Sequence, residues 1–275
     1  MSILRYHQAT FDLIKQTPTI SESQLDEMDK RAAELDVQFP AAVRELYSIE
    51  GLYKIFKRYS DCDRLLEPFE LERKVPRNPM HEEIRGKAYF KPNFFTFFYE
   101  NEGVYELAFE LDGSDDPPVW FEGDGPYDYS YRDRKKSWIK VDDHFSSFFF
   151  NWVWSHLYYN FGLTIVGTSD KFTADDLSFL QSALREVKPL FDNLHHFEGA
   201  DSHLQISRYY DADEFVWWLD ADSANAIYKL AKIVVQCSCF KDTKFDTFHT
   251  QSLSDQAEEE AEIVFARLIE EEKSK

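Results

Sequence analysis

A chain of 275 residues is long enough to bury a substantial core, in one large domain or in two smaller ones. Its 31 lysines and arginines face 51 aspartates and glutamates, so a net charge of −20 disfavours nucleic acid and anionic membranes as partners. A cationic protein partner is favoured instead, although the same charge also serves solubility. Aromatic residues form 17% of the chain, more than a core requires, and part of this surface is expected to contact a partner.

The cysteine content points to a reducing compartment. The chain has only Cys62, Cys237 and Cys239, an odd and sparse set that differs from the dense, even frameworks of small secreted domains. It contains no apolar run of the length of a signal peptide core or a membrane span. A cytoplasmic location is therefore predicted.

Two helices are predicted near the beginning of the chain. Ser21 is a suitable N-cap, with Gln24 three residues later, as in a capping box. The helical spacing of the apolar residues that follow ends at Phe39, because Pro40 interrupts the helix and suits the first turn of the next one. The second helix is expected to end at Gly51, which readily adopts the left-handed conformation.

The clearest β pattern lies between residues 94 and 122 and predicts a central antiparallel sheet. Apolar residues at every second position of residues 104–111 indicate a half-buried strand. Further strands are expected at residues 94–99 and 119–121, with breaks at residues 101–103 and 112–118. Residues 138–141 are expected to add another strand to this sheet, and residues 65–71 a short one.

A helix rich in aromatic residues is predicted from Phe145, with Asp142 or Asp143 as its cap. It is apolar nearly all round, since Phe150 and Trp154 do not share a face with Phe145. Two explanations remain open: the helix is sandwiched between the sheet and a second unit, or it contributes to a homodimer contact. The sandwich is the favoured interpretation.

The loop at residues 124–133 has the composition of a protein interface. Tyrosine combines a large contact area with few rotatable bonds, and aspartates in an acidic chain attract a basic target. The predicted partner-binding residues are Asp124, Tyr127, Asp128, Tyr129, Tyr131 and Asp133. The alternative is an ordinary exposed turn with its tyrosines lying back on the sheet, and the basic residues at 132 and 134–136 make any charge complementarity local.

Three segments together resemble a known family. The first is the run FPAAVRELY at residues 39–47, followed by Gly51; the second is the strand at residues 104–111 with its aspartate-proline break before Val119-Trp120. The third is the helix that begins FSSFF at Phe145, after an aspartate. In this order they are similar to the SUKH superfamily, the Smi/Knr-like proteins, over residues 20–160. The chain departs from the family at residues 48–50, where an asparagine often precedes the glycine, and at His144, where a small cap residue is common.

The resemblance implies both a fold and a function. The fold would be α+β, with a central antiparallel sheet flanked by helices. The function would be that of a bacterial immunity protein, which neutralises a cognate polymorphic toxin, contact-dependent or secreted, by binding it. The alternative is a regulatory scaffold resembling the fungal cell-wall-synthesis regulators, without a toxin partner.

The resemblance stops near residue 162, and a different pattern follows. Acidic residues after Thr173 indicate a helix through Leu184 and Val187, which Pro189 shortens or kinks. Residues 204–209 and 214–219 read as two strands, residues 221–234 as an amphipathic helix, and residues 255–272 as an acidic helix with a stripe of Ile263, Leu268 and Ile269. The chain is therefore divided into an α+β domain, residues 1–161, and an α/β extension, residues 162–275.

Catalytic and metal-binding patterns receive little support. Cys237 and Cys239 with His249 lack paired Cys-x-x-Cys spacing, and the histidines at 195, 196 and 203, near Glu198 and Asp201, are expected in a solvated loop. The aspartates beside Cys62 would raise rather than lower the pKa of its thiol. No phosphate-binding glycine motif or nucleophile elbow occurs. The sequence thus predicts a protein that is not an enzyme and holds no cofactor or metal. The resemblance implies that it acts, as a monomer or weak homodimer, on a basic toxin domain.

Overall fold

The computed structural model describes residues 4–57, 64–76, 89–100, 105–123, 138–156, 163–189, 194–209, 214–240, 248–250 and 255–274. The chain forms two compact units, Met1–His156 and Leu157–Lys275. The predicted boundary between residues 161 and 162 falls in the stretch 157–162, outside the described residues. Each unit combines helices with an antiparallel sheet, so the predicted α+β class is confirmed. In the described part of the chain, no helix is long and apolar enough to cross a bilayer.

The described helices of the first unit are α1 (Gln8–Leu13), α2 (Glu22–Leu35), α3 (Ala41–Tyr47), α4 (Leu52–Phe56) and α5 (Phe145–Ser155). The N-cap of α2 is Ser21, whose hydroxyl accepts a hydrogen bond from the backbone N–H of Gln24, as predicted. Helix α3 ends at Tyr47, four residues before Gly51, and the short helix α4 begins directly after Gly51. Gly51 is the N-cap of α4 and has a φ of 72°, which glycine adopts without strain.

The strands of the first unit are β1 (Arg64–Leu65), β2 (Glu72–Arg73), β3 (Phe94–Tyr99), β4 (Tyr105–Glu110), β5 (Val119–Gly123) and β6 (Ile139–Asp142). Strands β1 and β2 both pair with β3, and β4, β5 and β6 follow in chain order. The single strand predicted at residues 65–71 is therefore two short strands, separated by a 3-10 turn at Pro68–Glu70. The other predicted strands of this sheet lie within one or two residues of their expected places.

The core of the first unit lies between one face of this sheet and the helices α3 and α5. Phe97 packs edge-on against Phe145, with ring centroids 5.0 Å apart, and Phe39 against Phe95 at 5.6 Å. The pairing of β3 with β4 shifts register between Thr96 and Phe98, which marks a β-bulge. At the bulge, two consecutive residues both contact α5: Phe97 packs against Phe145, and Phe98 against Trp152.

The start of α5 differs from the prediction, because neither Asp142 nor Asp143 is its N-cap. His144 holds that position without a side-chain capping bond. Asp142 instead accepts from the backbone N–H of His144 at 3.2 Å. Trp154 is buried and Phe150 partly exposed. The favoured sandwich between the sheet and the second unit stays a prediction.

The second unit contains α6 (Ala174–Ala183), α7 (Ala224–Val234) and α8 (Asp255–Lys273) with β7 (Leu163–Ser169), β8 (Arg185–Val187), β9 (Leu194–Gly199), β10 (Ser202–Tyr209), β11 (Glu214–Ala221) and β12 (Phe248–Thr250). The strand order is β12-β7-β11-β10-β9-β8, and every pairing is antiparallel. This unit is therefore α+β as well, and it differs from the predicted α/β extension because its described strands all pair antiparallel. Its helices pack on the face that carries Ile165, Trp217 and Leu219.

Two predicted helices of the second unit need correction. The helix predicted to run from Thr173 to Val187 ends at Ala183, because residues 185–187 pair with β9 as an edge strand. On α8, the predicted apolar stripe is shifted. Ile263 is 66% exposed, whereas Ala261, Val264 and Leu268 form the buried face, at the spacing of successive helical turns.

Candidate functional site

The segments that carry the family resemblance meet at one junction in the first unit. The backbone N–H of Ala42, in the first turn of α3, donates to the carbonyl of Asp115 at 2.9 Å. The next residue, Asp116, accepts hydrogen bonds from the backbone N–H of Ser146 at 2.9 Å and from its hydroxyl at 2.6 Å. Two adjacent residues of the β4–β5 loop thus connect the first turns of α3 and α5. Their carboxylate and carbonyl satisfy N–H groups that the helices themselves leave unpaired.

A cleft of about 390 Å³, here called the motif cleft, lies beside this junction. Phe39 and Pro40 form an apolar wall, and Phe39 is held from behind by the rings of Phe95 and Phe109. The complete lining is Gln38, Phe39, Pro40, Ala41, Arg44, Leu111, Gly113, Ser114 and Asp115. The motif cleft is therefore formed by the first family-like segment on one side and by the β4–β5 loop on the other.

The charges at the rim of the motif cleft are unequally compensated. Arg44 is already neutralised, since its Nη2 donates to both carboxylate oxygens of Asp29 at 2.6 and 2.9 Å. Asp115 faces Arg5 at 3.7 Å, and both side chains are largely exposed, so this ion pair contributes little. The rim thus offers the Asp115 carboxylate to a cationic group from outside.

A second polar cluster lies on the opposite face of the sheet and is closed to solvent. Lys74 and Glu106 form a buried ion pair, and Lys74 also donates to the hydroxyl of Tyr89 at 3.0 Å. The Tyr89 hydroxyl donates to Glu106 at 2.5 Å, and the Thr96 hydroxyl at 3.1 Å. Burial, and then the nearby Glu106 carboxylate, raise the pKa of Tyr99 to about 12. Because both charges are satisfied within the cluster, its arrangement suits a structural rather than a chemical role.

The second unit buries a carboxyl group with one hydrogen-bond donor beside it. Asp220 on β11 accepts from the hydroxyl of Thr164 on the neighbouring strand β7 at 2.7 Å. Burial raises the pKa of Asp220 to about 7, which outweighs the lowering effect of the Thr164 bond. This carboxyl group therefore keeps its proton to a higher pH than an exposed aspartate does. His203 is opposite Asp220 on β10, in the same row of the sheet.

The residues that the sequence analysis considered for partner binding, metal binding or reactivity lie in different parts of the chain. The loop at residues 124–133, with all six predicted partner-binding residues, lies outside the described residues, and so does Cys62. His195, His196 and His203 belong to strands β9 and β10, not to a loop as expected, and His196 is fully buried. Within the described ranges, no group of three histidine, cysteine or acidic residues is placed to hold a metal ion.

The two described cysteines are poor nucleophiles. Burial raises the pKa of the Cys239 thiol to about 12 and that of Cys237 still further. The serine between them is bound to Asp176 of α6, through its backbone N–H at 2.6 Å and its hydroxyl at 3.0 Å. At neutral pH both thiols are protonated, which disfavours thiolate chemistry and metal ligation.

Comparison with known proteins gives no matching family model, no matching curated protein and no matching solved structure. The resemblance to the SUKH superfamily therefore depends on the three segments alone and on their order along the chain.

Proposed function

We propose that this protein is a non-catalytic immunity protein of the SUKH type, which binds and neutralises a basic toxin domain. The observation that carries the proposal is the junction at Asp115 and Asp116, where the family-like segments are hydrogen-bonded to one another. Their convergence beside the motif cleft supports a common structural role.

The charge distribution supports a cationic protein as the target. The chain carries a net charge of −20, and the rim of the motif cleft adds the weakly compensated carboxylate of Asp115. An acidic protein attracts a basic partner over long distances, which raises the association rate at low ionic strength. The predicted contact loop at residues 124–133 would add tyrosines, which concentrate binding energy at protein interfaces.

The proposal is tested by growth rescue and by direct binding. Where a large secreted protein is encoded next to this gene, its C-terminal domain is expressed in a bacterial host, with and without this chain. We expect toxicity to be suppressed only in the presence of the chain. We also expect the association rate constant of the purified pair to fall by about tenfold or more when the salt concentration rises from 0.05 to 0.5 M, because salt screens electrostatic steering.

Variants of the predicted contact loop locate the surface. Changing Tyr127, Tyr129 and Tyr131 together to Ala is expected to weaken toxin binding by at least about 2 kcal/mol. The matched control changes the same three residues to Phe, which keeps most of the contact area. A folded triple Ala variant that still rescues growth fully and binds the toxin with unchanged affinity would exclude this loop as the binding surface. Binding of several unrelated proteins without growth rescue would favour the regulatory scaffold.

A further inference from the structure

The segment before α2 is bound to the rest of the first unit in part through the carboxylate of Glu45. Residues 4–13, here called the strap, lie against α3 and α5 and end in the short helix α1. Three consecutive backbone N–H groups, of Arg5, Tyr6 and His7, donate to the carboxylate of Glu45 at 2.7, 2.8 and 2.9 Å. Hydrogen bonds to a charged acceptor are about twice as strong as neutral ones. Glu45 therefore holds the beginning of the strap in one place.

The centre of the strap is a histidine without access to water. The His7 side chain is 0% exposed, and its ring stands edge-on to the rings of Phe145 and Phe149, with both centroid distances at 6.0 Å. Its Nε2 lies 3.0 Å from the carbonyl oxygen of Ala42. A carbonyl can only accept, so Nε2 carries the proton in the docked strap. Among the described residues, Nδ1 is buried without a hydrogen-bond partner.

Protonation of His7 would therefore add a charge and an N–H donor where nothing described accepts it. The charged groups that face the ring are Glu45 on α3 and Asp116 in the β4–β5 loop, both of which favour the cation. Burial between two phenylalanine rings opposes it and is the larger effect, so the pKa of His7 is lowered. Once the strap leaves its groove, the imidazole is hydrated and regains its ordinary pKa of about 6.5.

We propose that the strap is an acid-released latch, docked while His7 is neutral and opened when His7 takes up a proton. Opening removes the edge contacts of His7 with Phe145 and Phe149 and releases the Glu45 carboxylate. The pKa of His7 is lower in the docked strap than in the open one. The docked strap is therefore fully stable above about pH 6.5, and its stability decreases as the pH falls from there toward the lowered pKa of His7. Within that range the opening constant rises about tenfold for each pH unit.

The latch is tested by amide hydrogen exchange in the full chain, followed by NMR at several pH values. Exchange rates of the Arg5, Tyr6 and His7 amides, corrected for their intrinsic pH dependence, give the opening constant of the strap. We expect this constant to rise steadily as pH falls below about 6.5, while the amides of β3 and β4 stay protected. A constant that does not change with pH would overturn the proposal.

Two variants separate His7 from the other titrating groups. His7→Gln retains an amide donor toward Ala42 but cannot be protonated, so its opening constant is expected to stay flat. His156→Phe is the matched control, because it removes another histidine of lowered pKa, which is partly buried, and should leave the acid response of the strap unchanged. The same acid response in His7→Gln as in the wild type would refute the latch. If the strap of His7→Gln is not docked at pH 7.5, the ring ¹⁵N chemical shifts of wild-type His7 are followed against pH instead. Protonation of His7 at a higher pH than the opening of the strap amides would contradict the proposal.

Discussion

Replacing Asp220 by Asn tests whether a buried carboxyl group costs this protein stability at neutral pH. Burial raises the pKa of Asp220 from 3.8 to about 7. The folded protein therefore retains a proton that the unfolded chain has lost, and stability decreases as pH rises from 3.8 to 7. At about 1.4 kcal/mol for each unit of pKa, this penalty reaches about 4 kcal/mol above pH 7.

Asn cannot ionise, so Asp220→Asn removes the penalty while retaining an acceptor for the Thr164 hydroxyl. Its amide adds two donors, and one left without a partner costs about 1–3 kcal/mol at every pH. The net gain at pH 8 is therefore expected to be about 1–3 kcal/mol. The pH dependence is the sharper measure, because the amide cost is constant and the effects of the buried histidines cancel between the two proteins.

The assay is urea unfolding of the full chain between pH 4.5 and 8.5, followed by tryptophan fluorescence and circular dichroism. The free energy of unfolding of the variant, minus that of the wild type, should increase by about 1.4 kcal/mol per pH unit up to pH 7 and then level off. The control is Asp222→Asn, an exposed position two residues away, where the difference should be flat. Parallel curves for wild type and Asp220→Asn would show that Asp220 is ionised at neutral pH and refute the reasoning.

Three further changes test the packing and the buried polar contacts. Trp152→Ala should lower the free energy of unfolding by about 3–5 kcal/mol, because the indole is 3% exposed and stacks 4.2 Å from the ring of Phe56; a loss below about 1 kcal/mol would mean that the contact is not core. Lys74→Met should cost about 3–5 kcal/mol by leaving the buried Glu106 charge without its counter-ion, and adding Glu106→Gln should restore part of it; additive losses would contradict a coupled pair. Asp176→Ala should cost about 2–3 kcal/mol in thermal unfolding, since it removes the carboxylate that accepts from the backbone N–H of Thr173 in the capping box of α6, and two bonds from Ser238; a change under about 0.5 kcal/mol would exclude this role.

Local chemistry allowed several elements to be predicted without the structure. The capping residues Ser21 and Thr173 mark the starts of α2 and α6, because each side chain satisfies an N–H group three residues later. The alternation along residues 104–111 predicts β4, since successive side chains of a strand point to opposite faces. These signals act within a few residues of chain, which is why the sequence contains them.

The polar contacts that position the candidate site span longer distances along the chain. Asp116 accepts from the backbone N–H of Ser146, thirty residues away, and the aspartate-proline pattern at this position does not reveal that partner. Glu106 occupies a position that alternation predicts to be solvated. It is buried because the pairing of strands brings Lys74 and Thr96 to the same face.

The sequence by itself determined the α+β class, the order of most helices and strands, and the acidic character that favours a basic partner. Only the tertiary structure decided that the family-like segments share one junction, that His7 is buried between two phenylalanine rings, and that Asp220 is enclosed beside Thr164. The physical reason is that burial, and the pKa change it causes, depend on what packs against a group from distant parts of the chain. Periodicity, by contrast, reports only on which side of its own helix or strand a residue lies.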